Sequence, residues 1–91
     1  MKRIFNNHAE TAFYDYLLSL NKYKESTVWQ YILRIRQIES MDSLINKDLD
    51  NRIADFEHGF KKEINTAHHN AYSCALKRLQ DYQRAHGIVV I

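Results

Sequence analysis

The chain is nearly free of the residues that punctuate tight turns. It contains no proline, and its only glycines are Gly59 and Gly87. A sheet protein of 91 residues needs several tight turns, and Gly, Pro or Asn-Gly pairs usually mark them. Their scarcity predicts an all-α fold. The length leaves room for one domain, which we expect to span residues 1–91.

The composition is that of a small globular protein. Hydrophobic residues make up 45% of the chain and charged residues 26%, which argues against a disordered chain. Cys74 is the only cysteine, so no intramolecular disulfide can form. The basic N-terminus lacks the apolar run of a signal peptide, and no segment approaches the roughly 18 apolar residues of a membrane span. We therefore expect a soluble, cytoplasmic protein without a membrane partner.

Apolar residues recur at spacings of three and four in four segments. This periodicity predicts a compact bundle of four helices over about 7–20, 26–40, 48–58 and 65–86. The four apolar faces are Ala9, Ala12, Phe13, Tyr16, Leu17 and Leu20; Val28, Tyr31, Ile32, Ile35 and Ile38; Leu49, Ile53 and Phe56; and Ala71, Tyr72, Ala75, Leu76, Leu79 and Tyr82.

Polar residues and glycines mark the predicted helix ends. Ser26 or Thr27 is expected to cap the second helix, because a hydroxyl there accepts a bond from an unpaired N–H. Gly59 and Gly87 are expected to close the third and fourth helices. Residues 41–46 break the periodicity and are expected to form a connection, with a leucine or isoleucine from it filling the core.

Charge is unevenly distributed along the chain. Residues 39–57 contain six acidic residues and only two basic ones, Lys47 and Arg52, so the net charge of this segment is −4. Since the net charge of the whole chain is +2, the remaining residues carry +6. The third predicted helix therefore has an acidic outer face that phosphate would repel, while the other segments can approach a nucleic acid. Glu10 and Asp15 are expected near the start or on the solvent side of the first helix.

The sequence contains no complete catalytic or metal site. His68 and His69 point about 100° apart on a helix, and Cys74 lies off the spacing that aligns ligands. The carboxylates two residues apart diverge in a similar way, in the pairs Asp48/Asp50 and Asp55/Glu57. No glycine-rich phosphate loop is present. We therefore expect a protein that is not an enzyme and that holds no metal or cofactor.

Basic and hydrogen-bonding side chains gather around the starts of the second and fourth predicted helices. Cations, hydroxyls and amides of this kind contact phosphates and base edges. Two such helix starts side by side would straddle a groove of double-stranded DNA. The alternative is an ordinary solvated surface. The candidate DNA-binding residues are Lys22, Lys24, Ser26, Thr27, Gln30, Arg34, Lys62, Thr66, His69, Asn70, Ser73 and Lys77.

Four stretches resemble the N-terminal core-binding domain of tyrosine recombinases, the phage-integrase family, also described as a SAM-like helical domain. Residues 13–17 are similar to its opening helix, with an aromatic before a Tyr-Leu pair. Residues 25–31 resemble its Ser/Thr-rich start followed by a Tyr, 49–56 its short third helix, and 67–87 its last long helix. The resemblance implies that the second and fourth helices clamp one side of duplex DNA. The contacts it implies come from Ser26, Thr27, Gln30, Arg34, Thr66, His69, Asn70 and Ser73.

The resemblance also implies a division of labour. In this family a separate C-terminal domain cleaves the DNA with an Arg, Lys, His and Tyr set that has no counterpart in this sequence. The chain would then be the non-catalytic DNA-binding module of a site-specific recombinase or integrase from a mobile element. Its partners would include that catalytic domain or other recombinase protomers, and residues 88–91 would begin the linker to it.

A stand-alone accessory factor that binds another protein is the alternative function. Tyr14, Tyr23 and Trp29 are expected to be exposed in this interpretation, together with the apolar residues 88–91. Exposed aromatic and apolar side chains of this kind anchor protein interfaces.

Overall fold

The structure, a computed structural model, describes residues 3–59 and 66–90, except for the side chains of residues 58–59 and 66–70. These two stretches contain helices and no strand, which confirms the all-α prediction. No helix in them combines the length and the hydropathy needed to cross a bilayer. The five α-helices are α1 (His8–Ser19), α2 (Glu25–Ile38), α3 (Met41–Leu44), α4 (Asp50–Ala54) and α5 (Thr66–Ala85).

The three long helices α1, α2 and α5 begin and end within two residues of their predicted bounds. The third predicted helix is only partly regular, because α4 ends at Ala54 and continues as one π-helical turn, Asp55–Gly59. The expected connection at 41–46 contains the short helix α3. Met41 and Leu44 lie three residues apart, so one turn of helix buries both side chains against the core.

The start of α1 is held by two reciprocal hydrogen bonds. Asn7 Oδ1 accepts from the Glu10 N–H at 3.0 Å, and Glu10 Oε1 accepts from the Asn6 N–H at 2.8 Å. This arrangement is a variant of the capping box, which satisfies N–H groups that have no partner inside the helix. The bond from the Asn6 N–H is one of the contacts that hold the Glu10 side chain in its buried position.

The C-terminal end of α5 closes as predicted at Gly87. Its φ of 61° is the left-handed conformation that glycine adopts without a side-chain clash. The Ile88 N–H then reaches back to the Gln83 carbonyl at 2.9 Å, in a Schellman-type closure. Asn21, with a φ of 56°, has the same role after α1.

The core draws on every helix. The fully or almost fully buried apolar side chains are Phe13, Tyr14, Leu17, Val28, Ile32, Ile35, Met41, Leu44, Leu49, Ile53, Ala75, Leu76, Leu79 and Tyr82. Most of the predicted apolar faces are in this set or pack partly against it. Leu20 has an exposed side chain, since α1 ends before it.

Two side chains with polar tips are buried against α2. Glu10 was predicted near the start or on the solvent side of the first helix; it lies in the first turn of α1, but it is only 1% exposed because Arg36 of α2 binds its carboxylate. Tyr14 was predicted to be an exposed aromatic, but its ring is buried and its hydroxyl donates to Glu25 Oε1 at 2.5 Å. In both cases a polar tip finds its partner on α2.

Helices α2 and α5 pack together more extensively than any other described pair, and they run antiparallel. The Tyr72 hydroxyl, early in α5, donates to Gln37 Oε1 near the end of α2. Arg78, later in α5, donates to the Tyr23 hydroxyl just before α2 begins, at 2.9 Å. The order of contacts along one helix is therefore the reverse of the order along the other.

Candidate nucleic-acid interface

The outer face of α2 is polar except for Leu33. Val28, Ile32 and Ile35 face the core, so the opposite side of the helix faces solvent. That side, at spacings of three and four, carries Ser26, Gln30, Leu33, Arg34 and Gln37. Within these, the Ser and both Gln side chains are exposed, and the Leu and Arg side chains are half-buried.

Most Lys and Arg side chains in the described part of the chain form an ion pair with an Asp or Glu side chain. The ion pairs are Arg3–Glu25, Arg36–Glu10, Lys47–Glu39, Arg52–Glu39, Lys77–Glu57 and Arg78–Asp81. The Lys and Arg side chains with no carboxylate partner among the described residues are Lys22, Lys24, Arg34 and Arg84. Three of these four lie on α2 or in the turn before it, so the uncompensated positive charge is concentrated there.

The start of α2 leaves backbone donors free, which corrects one sequence prediction. Ser26 and Thr27 were expected to cap the helix, but α2 begins one residue earlier and Lys24, extended at φ −72° and ψ 152°, occupies the cap position. No described side chain caps this end. The first helical bond is from the Val28 N–H to the Lys24 carbonyl at 3.0 Å, so the N–H groups of residues 25–27 point out of the helix start.

Ser73 and Lys77, the two predicted contact residues on α5 whose side chains the structure describes, do not join this face. Ser73 is 4% exposed, which removes it from any contact with DNA in this conformation. Lys77, one turn further along, has an exposed side chain but pairs with Glu57 of the π-helical turn at 2.6 Å. The hydrogen bond that Lys77 donates to the Glu57 carboxylate raises the pKa of Lys77. Ser73 and Lys77 therefore lie on the flank of α5 that faces the 50–59 segment.

The starts of α2 and α5 do not lie side by side. Tyr72 follows Thr66 by six residues and meets Gln37, which follows Glu25 by twelve, so the two antiparallel helices begin towards opposite ends of the packed pair. These two helix starts therefore do not straddle one groove in this packing, contrary to the prediction from the sequence. The predicted contact residues that do lie together are those on α2 and in the turn before it.

Several predicted residues lie beyond what the structure describes. Lys62 falls in the gap between the described stretches, and only the backbone is described for Thr66, His69 and Asn70. The same holds for His68, which was weighed as a metal ligand. Among the side chains that are described, no three His, Cys, Asp or Glu residues converge as metal ligands, and Cys74 is exposed.

Trp29 and Tyr23 make contacts with other residues of the same chain. The Trp29 ring meets Phe5 edge to face at 5.7 Å and has the Arg3 and Arg36 guanidinium carbons 5.6 and 5.2 Å from its centroid. Tyr23 packs against the core and accepts the bond from Arg78. Trp29 and Tyr23, which the protein-binding interpretation expects to be exposed, are therefore half-buried.

Two residues of the outer α2 face, Leu33 and Gln37, were not among the predicted contacts. The sequence contained a signal for both, because they follow Gln30 by three and seven residues and so share its side of the helix.

Comparisons with models of protein families, with curated proteins and with solved structures gave no match to this chain.

Proposed function

We propose that this chain is a DNA-binding module that holds double-stranded DNA with α2 and the turn before it, and does not cleave it. One observation carries the proposal. Within the described residues, unpaired cations and free hydrogen-bonding groups collect on this single face, while the cations elsewhere are mostly matched by acids. The proposed contact residues are Lys22, Lys24, Ser26, Thr27, Gln30 and Arg34.

The α2 face matches the demands of duplex recognition. The major groove of B-DNA is about 12 Å wide and admits an α-helix. Lys22, Lys24 and the outward N–H groups of the first turn are suited to phosphates, which fix position without reading sequence. Gln30 lies further along the exposed side, and a side-chain amide of this kind can pair with the edge of adenine. Arg34 follows one turn later, where its guanidinium can bind guanine or a phosphate.

The resemblance noted in the sequence supports a narrower assignment. We propose that the helices belong to a SAM-like core-binding domain, and that the chain is the non-catalytic part of a tyrosine recombinase or integrase. Cleavage would then come from a separate catalytic domain or other recombinase protomers. The family's two-helix clamp does not transfer in full, because Ser73 is buried and Lys77 is paired with Glu57.

The direct test is a titration of a fluorescently labelled duplex at two salt concentrations, followed by selection from a random-sequence duplex library. A phosphate-driven interaction loses affinity steeply as salt rises. We expect Lys24→Ala to lower the slope of log K against log salt by about 1. Gln30→Ala should relax the selected sequence more than Arg34→Ala does.

Arg84→Ala is the matched control, because Arg84 is also an exposed cation without a described carboxylate partner but lies near the end of α5. The proposal requires that this variant bind DNA as the parent does. No binding at about 50 mM salt, or an equal loss in Arg84→Ala and Lys24→Ala, contradicts it.

The alternative function, a protein-binding accessory factor, keeps one structural support. Val89 and Val90 are 83% and 44% exposed, whereas Ile88 packs partly against the core. Light scattering after size exclusion, comparing the parent with Val89→Ser, tests whether these side chains mediate self-association. A larger species in the parent alone favours this function over DNA binding.

A further inference from the structure

A cleft with no lining residue from α2 has no part in the proposed function. It has a volume of about 280 Å³, near the lower end of the range for small-ligand pockets. It lies between the turn that leads into α4 and the end of α5. Its lining residues are Asp48, Leu49, Asp50, Gln80, Gln83, Arg84, Gly87, Ile88 and Val90.

Gln83 gives this cleft a defined chemistry. The residue is only 3% exposed, and its Nε2 donates to the carbonyls of Leu44, Ile45 and Lys47 at 3.4, 3.0 and 2.8 Å. These three acceptors fix the amide orientation, since a flipped amide would place oxygen against oxygen. The oxygen, Oε1, therefore turns away from the 44–47 turn, and it accepts no hydrogen bond within the described part of the chain.

The two acids of the cleft each retain an oxygen as well. Asp48 Oδ1 accepts from the Asp50 N–H at 2.9 Å, and Asp50 Oδ1 accepts from Gln80 Nε2 at 2.5 Å. In the described part of the chain, neither carboxylate has an ion-pair partner. The lysine nearest in sequence, Lys47, is held by Glu39 at 3.0 Å.

We propose that this cleft binds a primary ammonium group carried on a short aliphatic chain. An ammonium has three N–H donors and no acceptor, which matches the free oxygens of Asp48, Asp50 and Gln83. Leu49, Ile88 and Val90 provide the apolar wall for the aliphatic part. The ammonium belongs either to a free amine or to a lysine side chain of a polypeptide.

The experiment is an ¹H–¹⁵N NMR titration of the full chain with n-butylammonium, and separately with Nα-acetyl-lysine methylamide. We expect shifts confined to the backbone amides of residues 48–50 and 87–88 and to the Gln83 side-chain NH₂. Tighter binding of the first ligand identifies a free amine as the source, and tighter binding of the second identifies a lysine side chain. Absence of shifts at these positions with both ligands overturns the proposal.

Two ligand controls separate hydrogen bonding from simple charge attraction. Tetramethylammonium has the same charge without N–H donors, and the Nε-acetylated lysine derivative has lost the charge. Both should leave the cleft signals in place. Shifts from tetramethylammonium equal to those from n-butylammonium would show a general electrostatic effect and contradict the proposal.

Variants test the residues themselves. Asp50→Asn should weaken binding about tenfold, because a charged hydrogen bond is lost, and Asp48→Asn provides an independent second test. Asp55→Asn is the matched control, since Asp55 is an exposed acid on the same segment that does not line the cleft. Arg84→Ala should tighten binding by removing a like charge from the wall; weaker binding in that variant, or equal losses in Asp50→Asn and Asp55→Asn, refutes the assignment.

Discussion

Arg36 binds the buried carboxylate of Glu10 with two parallel hydrogen bonds. Its Nε donates to Oε2 at 2.9 Å and its Nη2 to Oε1 at 2.7 Å. The same guanidinium donates to the Ile4 carbonyl at 2.9 Å. A single side chain of α2 thereby fixes both α1 and the segment that precedes it.

Removing one partner of this pair should be costly. Arg36→Met leaves the Glu10 carboxylate buried without its cation, and we expect a loss of about 3 kcal/mol in the free energy of unfolding, measured by urea denaturation. Arg52→Met is the surface control, with an expected loss below about 1 kcal/mol. The double variant Glu10→Met/Arg36→Met should recover most of the stability; a double variant as unstable as Arg36→Met would contradict this account.

The same pair should make stability depend on pH. Burial raises the pKa of Glu10, but the hydrogen bonds from Arg36 and the Asn6 N–H outweigh it and hold the pKa below its ordinary value of 4.5. Because the folded-state pKa is depressed, the contribution of Glu10 is complete above about pH 4.5 and is lost as the pH falls through the folded-state value.

We therefore expect Glu10→Gln to show a shallower loss of stability below pH 4.5 than the parent does. Urea denaturation at a series of pH values measures this. Some slope should remain, because Ser43 and Lys47 lower the pKa of Glu39 in the same direction. Identical slopes in the parent and Glu10→Gln would exclude a depressed pKa at Glu10.

Trp29 should report on the segment before α1. It is the only tryptophan, so fluorescence is specific to it. Arg3→Ala removes one guanidinium from its ring and breaks the 2.9 Å pair with Glu25, which should expose the indole and shift its emission to longer wavelength. Arg84→Ala, far from the ring in sequence and unpaired, should leave the emission unchanged.

Gln83 should matter more for stability than its neighbour Gln80. Gln83→Leu leaves the Ile45 and Lys47 carbonyls without their donor, while the Leu44 carbonyl keeps the Lys47 N–H, so we expect a loss of at least about 2 kcal/mol in thermal or urea unfolding. Gln80 donates only to the exposed Asp50. Gln80→Leu should therefore change stability by no more than about 0.5 kcal/mol.

Gly87 should resist replacement by most residues. Nothing lies within 4 Å of a Cβ placed there, so the cost of Gly87→Ala comes from its φ of 61° alone. We expect a loss of about 1 kcal/mol, seen as a lower melting temperature. Gly87→Asn should lose less, because asparagine tolerates the left-handed conformation; equal losses would indicate another cause.

The features predicted correctly from the sequence are those set by local periodicity. Leu76 and Leu79 mark the buried side of α5 wherever the helix packs, and Gly87 ends it through its own backbone freedom. The burial of Glu10 could not be predicted in this way, because its partner lies 26 residues away on another helix. The short helix α3 was missed since only Met41 and Leu44 define its face.

In the candidate site, too, the features set by local periodicity could be predicted and those set by helix packing could not. Exposure of Gln30 follows from its position opposite Ile32 and Val28 on one helix. The direction of α5 relative to α2 depends on the intervening residues 39–65. The periodicity of residues 48–58 predicts a helix there, but it does not specify the path of the chain from α2 to α5. Ser73 was therefore assigned to the interface, although the packing of α5 buries it.

The shared core of α1 and α5 has a consequence for synthesis of the protein. Phe13 and Leu17 belong to one buried cluster with Leu76 and Leu79, so the apolar faces of the first helices have no complete cover until α5 exists. At ~5–20 residues per second, a ribosome needs about 1–5 s to add the residues from 60 to 85. During that interval α2 lacks the helix with which it packs most extensively, and folding to the final packing must follow the emergence of α5.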